Sequence, residues 1–218
     1  MTGFTRTPRL AKGGLVQINP ESGAIERIIA LQYNSDTVTR KLAVQAFGED
    51  GDRSQALRIK GPPVETFTLD AVLDATDQLE FPDRNPAAAQ AGLFPQIAAM
   101  EALVYPTASQ LRAKDALASA GTLEIAPIQA PLALFIWSRN RIVPVRITDL
   151  SITEEAFDPN LNPIRAKLSL SLRTLSVDDL GFSHRGGGLF MAYLAAKEQL
   201  ATKAPGATLA TFGVGSLP

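Results

Sequence analysis

SITEEAFDPNLNPIRAKLSLSLRTL, Ser151 to Leu175, decides the fold. Its second half alternates without interruption. Ile164, Ala166, Leu168, Leu170 and Leu172 share one phase, and Arg165, Lys167, Ser169, Ser171 and Arg173 the other. A period of two marks a strand with one buried and one polar face. The run before it, IVPVRITDLSITEEAF, places Val143, Val145 and Ile147 in one phase and Leu150 and Ile152 in the opposite one. A phase change inside one strand predicts a β-bulge near Thr148–Asp149. The connection, Phe157 to Pro163, holds two prolines, two asparagines and an aspartate. Asp158-Pro159 and Asn162-Pro163 each fix φ at a proline and favour a turn. Each proline also biases its predecessor away from helix. The expectation is a long hairpin with a stiff, protruding tip.

Other strands lie on both sides of it. GLVQINP and ERIIALQYN are β-rich runs joined by the turn signal ESGA, and TVTRKLAVQAF suggests a third strand before the polar loop GEDGDRSQ. Phe67, Leu69, Ala71 and Leu73 alternate with polar residues after a Gly-Pro-Pro break. GTLEIAPI and PLALFIWS read as strands, with SRNR a tight turn after the second. Between them, Leu93, Ile97, Met100, Ala102, Leu103 and Val104 have helical spacing. Pro95 is tolerated in a first turn, and Pro106 stops the helix. SQLRAKDALASA is alanine-rich and ends at Gly121, as a second helical stretch or an ordered loop.

DDLGFSHRGGG reads as a loop, and the run LFMAYLAAKEQLATKA as a helix with Leu189, Tyr193, Ala196 and Leu200 on one face. The class is mainly β (α+β): a closed or nearly closed antiparallel barrel, or a sandwich, with an inserted helix and a C-terminal helix. One β domain over residues 1–180 carries the helical insertion at about 87–118, and residues 181–218 form the C-terminal helix and an irregular tail.

Composition narrows the chemistry. With 218 residues the chain can bury a substantial core. A formal net charge of −1 gives no global basic excess for nucleic acid. No run approaches the roughly 20 apolar residues that span a bilayer, and the N-terminus lacks a secretory apolar stretch. The absence of cysteine excludes disulfides, thiolate metal sites and cysteine nucleophiles. His184 is the single histidine, so a usual zinc site would need several carboxylates. FSHRGGG lacks the spacing of a phosphate loop. Adjacent Glu154 and Glu155 point to opposite faces of a strand, a poor arrangement for an acid–base pair. Asp70 and Asp74 fit a solvated strand face. A hydrolase built from these acids and His184 is disfavoured; no enzyme, cofactor or metal is expected. Trp137 fits a core aromatic at a strand end, or an interface anchor. The Ser169/Ser171 face, flanked by Lys167 and Arg173, fits a solvent face, the lining of a conduit, or a surface that stacks in a ring.

Five stretches carry a resemblance: LQYNSDTVTRKL, KGPPVETFTLDAVLDATDQLE, LFPQIAAMEALVYP, the long run from Gly121 to Ser176, and GLFMAYLAAKE. Together they resemble the tube-type proteins of contractile injection systems, the extracellular phage-tail-like particles. The chain is most similar to baseplate hub adaptors that often carry a LysM module. The match runs in order from about Thr7 to Leu200, and its most specific pieces are QYN-x-DT-x-TR and ITEEAFDPNLNPIRA. It departs at Asn34-Ser35-Asp36, where the family usually has Asn-Pro-Asp, and shows no LysM-sized module after Leu200.

The resemblance implies a tail-tube-like β-barrel and a homohexameric ring. That ring would join spike and tube and contact the baseplate wedge proteins. It also implies assembly in the cytoplasm, within an injection particle that a cell can release, without nucleic acid or membrane insertion. The residues expected at assembly contacts are Tyr33, Asn34, Asp36, Trp137, Asp158, Pro159, Asn160, Asn162, Pro163 and Arg165. The alternative function is a stand-alone β-barrel that binds a small apolar ligand within the faces of Phe67–Leu73 and Ile164–Leu172.

Overall fold

The computed structural model describes residues 11–46, 57–119, 121 and 130–217. The strands are β1 (Gly14–Ile18), β2 (Ile25–Ala30), β3 (Val38–Ala43), β4 (Val64–Asp74), β5 (Leu132–Ser138), β6 (Arg141–Phe157) and β7 (Pro163–Thr174). The helices are α1 (Thr76–Leu79), α2 (Pro86–Ala91), α3 (Phe94–Glu101), α4 (Ala108–Ser119), α5 (Val177–Leu180) and α6 (Arg185–Ala201), with short 3-10 turns at Pro82–Arg84 and Leu209–Phe212. The strands expected from GLVQINP, ERIIALQYN, TVTRKLAVQAF and PLALFIWS are all present. The expected strand GTLEIAPI lies outside the described residues except for Gly121, and the expected loop GEDGDRSQ lies wholly outside them.

All seven strands form one antiparallel sheet in the order β2-β1-β5-β6-β7-β4-β3. The sheet curls on itself. In a flat sheet β1 and β4, four positions apart, would be separated by roughly 19 Å at about 4.8 Å per strand. Instead Leu15 of β1 and Leu69 of β4 line the same void, together with Phe135, Leu170 and Leu172. Phe67 of β4 and Phe135 of β5 meet with ring centroids 5.3 Å apart. After β2, Gln32 spans the seam: its Nε2 donates to the Asp74 carbonyl at 2.6 Å, and its Oε1 accepts from the Asp74 N–H at 2.8 Å. One side-chain amide therefore replaces a missing ladder contact, and the outcome is a nearly closed barrel.

The long hairpin follows its sequence pattern. β7 buries Ala166, Leu168, Leu170 and Leu172. The register of β6 on β7 slips between Ile147 and Asp149, so the bulge occurs where the phase change placed it. The extra residue, Thr148, donates its hydroxyl to the Ser171 carbonyl at 3.0 Å.

Helices contribute to the core at opposite ends of the inward row of β4. Leu73, at one end, lines a groove with Met100 of α3. Glu65 at the other end is bonded by Tyr193 and Lys197 of α6. Eight residues of strand, roughly 26 Å at about 3.3 Å each, separate the two ends. Leu93, Ile97 and Met100 join the main core from the insertion, and Phe190 and Tyr193 join it from α6. A second small cluster forms around Ile18, Leu132 and Leu134, with Leu180 and Leu189 packed on it.

Three helical expectations need correction. The insertion is not one helix but a series, because Asn85-Pro86, Gly92 and Pro106 repeatedly break it. Pro95 does lie in the first turn of α3. The GGG run is not a loop: Gly186 to Gly188 form the first turn of α6, capped by His184, whose Nδ1 accepts from the Gly186 N–H at 3.0 Å. A Cβ on Gly187 would stand 2.0 Å from the Gly181 carbonyl, so close packing against α5 demands glycine despite its poor helix propensity. On α6 the buried face is Phe190 and Tyr193, whereas Leu200 is exposed. Finally, α4 buries none of its residues.

Candidate functional site

The hairpin tip is organised by one carboxylate. Asp158 Oδ1 accepts from the Asn160 and Asn162 N–H groups at 2.7 and 2.8 Å, and Oδ2 accepts from Asn162 Nδ2 at 2.8 Å. The Leu161 N–H donates to the Asp158 carbonyl at 2.9 Å, closing a turn over Pro159 and Asn160. Leu161 has φ +64 and is 74% exposed, while Ala156, still within β6, has φ +50. Non-glycine residues in this region store backbone strain unless their surroundings hold them.

The second proline does not begin a turn. Pro163 is the first residue of β7, where a missing N–H is tolerated, and it is fully buried. Its carbonyl accepts from the Leu93 N–H at 2.8 Å, and Asn162 Nδ2 donates to the Gln90 carbonyl at 3.3 Å. One side of the hairpin base is thus fastened to the helical insertion, leaving Pro159, Asn160 and Leu161 as the projecting part. Pro163 presents no surface to a partner.

Hydrogen bonds from Asn162, first through its side chain and then its backbone, hold the Asp158 carboxyl below the ordinary aspartate range. A depressed folded pKa stabilises the tip above the unfolded pKa, and that contribution is lost as pH falls through the folded value. Acidification is therefore expected to release Asn160 and Asn162 together, seen as concerted movement of their amide NMR signals. Asp158→Ala is expected to reproduce the acid spectrum at neutral pH. Unchanged signals in that variant would show that the turn is held by its prolines alone.

The remaining expected contacts are dispersed. Tyr33 is half exposed, and Asp36 is exposed. Asn34 works inward: its Oδ1 accepts from the Gly13 N–H at 2.8 Å and its Nδ2 donates to the Ala11 carbonyl at 2.8 Å. Trp137 packs on Phe135 with centroids 5.8 Å apart and belongs to the margin of the core. Arg165 pairs with Asp74, with Nη2 2.8 Å and Nε 3.1 Å from the same oxygen. The structure brings Asp158, Pro159, Asn160, Asn162, Pro163 and Arg165 onto one hairpin, with Tyr33, Asn34, Asp36 and Trp137 elsewhere.

The outward face of β3, β4, β7 and β6 forms a continuous surface across four paired strands. Register partners run across it as Thr39, Thr68, Ser171 and Asp149, with Asp70, Ser169 and Ser151 in the next row. Thr39, Thr68, Asp70, Asp149 and Ser151 are exposed. Farther along, Lys167 pairs with Glu155 at 2.7 Å and Arg165 with Asp74. The opposite end carries Lys41, Arg146 and Arg173, the last paired with Asp179 at 2.8 Å. Hydroxyls and two aspartates, Asp70 and Asp149, occupy the centre, and the ion pairs at the two ends involve Asp74, Glu155, Arg165, Lys167 and Arg173.

Asp74, Glu155 and His184, singled out from sequence, have structural contacts. Asp74 and Glu155 are in ion pairs, and His184 caps a helix. Among the described residues, no group of three or more His, Asp or Glu side chains could hold a metal ion, and no helix is long and apolar enough to cross a membrane. The void between the apolar faces of β1, β4, β5 and β7 measures about 10 Å³, less than a small ligand needs.

One site had not been singled out from sequence. Glu65 is only 2% exposed, yet it accepts from the Tyr193 hydroxyl and the Lys197 ammonium, both at 2.9 Å, with Arg40 Nε at 3.6 Å. Lys197 Nζ also lies 4.1 Å from the Tyr193 ring centroid. The signal was present: Glu65 shares the inward phase of Phe67 and Leu69, where an acidic residue is discordant.

No family model matches this chain, and no curated protein matches it. Among solved structures, it is similar to a chain from the tail of an empty GTA particle determined with helical refinement and C6 symmetry. The identity is 12% over 74% of this chain and 90% of that one, with a TM-score of 0.27. At that score the two backbones do not superpose closely, so the architecture of this chain stands on its own strand order.

Proposed function

We propose that the chain is a structural subunit of a phage-tail-like contractile injection particle: a ring-forming adaptor between spike and inner tube, with no catalytic role. The observation that carries this reading is the polar outward face of β3-β4-β7-β6 on a barrel whose interior is filled. The void at the barrel centre is too small to hold a ligand, whereas an outward face of hydroxyls and nearly balanced charge suits a surface along which other molecules pass. The long β6–β7 hairpin extends that face. The colinear resemblance of five sequence stretches to tube-type proteins supports the same role and supplies the expectation of six copies.

The ends of the sheet support assembly. β2 and β3 are its margins, and among the described strands neither has a neighbour on its outer edge. Such edges promote uncontrolled pairing unless they are covered. A closed ring covers every repeated contact when its rotation closes. α4, a 12-residue helix with no buried residue, would also gain from cover, since isolated helices of this length are marginal in water.

Mass photometry and electron microscopy of the purified chain, alone and with spike and tube proteins, test the proposal. The expected result is a species of six times the chain mass, with a central channel and β6–β7 facing it. Monomers under every condition, or rings with that face on the outside, would overturn it.

A further inference from the structure

The outward face carries charges of both signs, but they are not spread evenly along it. One row, followed across four strands, is Lys41 of β3, Thr66 of β4, Arg173 of β7 and Arg146 of β6. At about 4.8 Å per strand it is roughly 14 Å long, and it holds cations without an acid. Arg146 and Arg173 stand directly opposite each other in the β6–β7 register, an arrangement that costs stability when the charges are alike. Arg173 has an ion pair, with Nη2 2.8 Å from Asp179 Oδ1. Asp179 is itself held by the Ser176 N–H at 2.9 Å, so this contact fixes the Arg173 guanidinium in place. Lys41 and Arg146 are exposed and have no ion pair among the described residues.

Elsewhere on the face the cations are answered. Arg165 has Asp74, and Lys167 has Glu155. Between those pairs and the cation row lie Asp149, in register with Ser171, and Asp70, in register with Ser169. At about 3.3 Å per residue of β7 they stand roughly 7 and 13 Å beyond Arg173. The uncompensated positive charge is therefore confined to one end. A carboxylate placed there would remove the repulsion between the two facing arginines. Guanidinium can fork to it, Lys41 adds a point charge, and Thr66 offers a hydroxyl.

The neighbouring aspartates select the kind of ligand. A nucleic acid bears a charge about every 3.4 Å on each strand, so one lying along β7 would also meet Asp149 and Asp70. A protein can set acids over the cation row and donors over the aspartates, matching the face charge for charge.

We propose that the row of Lys41, Thr66, Arg173 and Arg146 binds the carboxylates of an acidic protein segment. This rests on the reading of the face as the lining of a channel, and it names what the cation-bearing end of that lining engages.

A fluorescent oligoglutamate peptide, titrated against the chain at about 0.1 M salt, tests it; charges more than roughly 10 Å apart are largely screened there. The expected result is saturable binding. Arg146→Glu should weaken it roughly tenfold, the value of about one charge-assisted hydrogen bond. Arg139→Glu makes the same change of charge at the exposed β5–β6 turn. It lies more than roughly 16 Å from Arg146 along β6 at about 3.3 Å per residue, and should leave binding unchanged. Without peptide, Arg146→Ser should raise the urea midpoint, because one of two facing cations is gone. Circular dichroism checks that each variant is folded.

The proposal is overturned by failure of the peptide to bind, by equal weakening in Arg139→Glu, or by a lower urea midpoint in Arg146→Ser. Tighter binding of single-stranded DNA of equal charge overturns it too. So does peptide binding that appears only after Glu49, Asp50 and Asp52 are changed to amides, since the chain's own acids would then occupy the row. Mass photometry of the same samples separates the site from the ring. Rings that ignore the peptide remove the site and leave the ring standing, whereas monomers that bind it keep the site and remove the ring.

Discussion

Gly92→Ala is expected to destabilise the protein by about 3 kcal/mol, despite adding only one methyl group. Gly92 ends α2 with φ +54 and ψ −128, a conformation that costs other residues roughly 1–3 kcal/mol. Space adds a second penalty. A Cβ there would lie 2.4 Å from the Pro163 carbonyl oxygen and 3.0 Å from the Asn162 Cβ. That carbonyl cannot retreat freely, because it accepts from the Leu93 N–H. Relief of the clash must lengthen or break a hydrogen bond worth roughly 1 kcal/mol and displace the start of β7.

Urea unfolding should show a midpoint lower by about 1 M, taking a slope of roughly 2–3 kcal/mol per M. Gly188→Ala is the control. It lies in α6 with nothing near an added Cβ, and alanine there should be neutral or stabilising by up to about 1 kcal/mol. If both variants unfold together with the wild type, the Gly92–Pro163 approach is not a constraint. A large effect would establish that the helical insertion and the hairpin base form one body, leaving Pro159, Asn160 and Leu161 to meet partners.

That junction also marks where sequence stops being informative. Local period and turn chemistry were enough for β7, for the bulge at Thr148 and for the start of α3 at Pro95, because each is determined by residues adjacent in the chain. Asn162-Pro163 shows the limit. Its proline pair reads locally as a second turn, whereas Pro163 is buried in the first pair of β7 by an insertion about 70 residues earlier in the chain. Gly186 to Gly188 fail for a related reason: propensity argues for a loop, whereas the close approach of Gly187 to the Gly181 carbonyl demands glycine inside a helix. Asn34 is exposed, and its side chain also ties down Gly13 and Ala11, a long-range contact that its motif does not announce. The polar face of β7 was legible as a face, but the rows that extend it across β3, β4 and β6 depend on strand order, which periodicity does not contain.

The second large effect is expected at Glu65. Glu65→Ala should cost about 3 kcal/mol and release α6 before the barrel unfolds. The buried Tyr193 hydroxyl would lose its acceptor, a penalty of roughly 1–3 kcal/mol, and truncation would leave unfilled space in the core margin. Removing one partner of a fully buried ion pair can cost about 3–5 kcal/mol. Here the lower end applies, because the side chains of Lys197 and Arg40 are 31% and 40% exposed and can turn toward water. Tyr193→Phe should cost about 1 kcal/mol, since it removes the hydroxyl and leaves Lys197 on the carboxylate. A double-mutant cycle should return a coupling between Glu65 and Tyr193 of roughly 1 kcal/mol or more.

Amide exchange locates the loss. Residues 185–201 should exchange faster in Glu65→Ala while the amides of β6 and β7 remain protected; uniform acceleration would mean that α6 is part of the barrel's own cooperative unit. Burial pushes the Tyr193 hydroxyl above the usual tyrosine pKa. Its stabilising contribution is therefore complete below the unfolded value and is lost as pH rises through the folded one. The Tyr193 part of the α6 contact should accordingly persist through neutral pH and weaken in alkali, with Tyr193→Phe diminishing that alkaline loss.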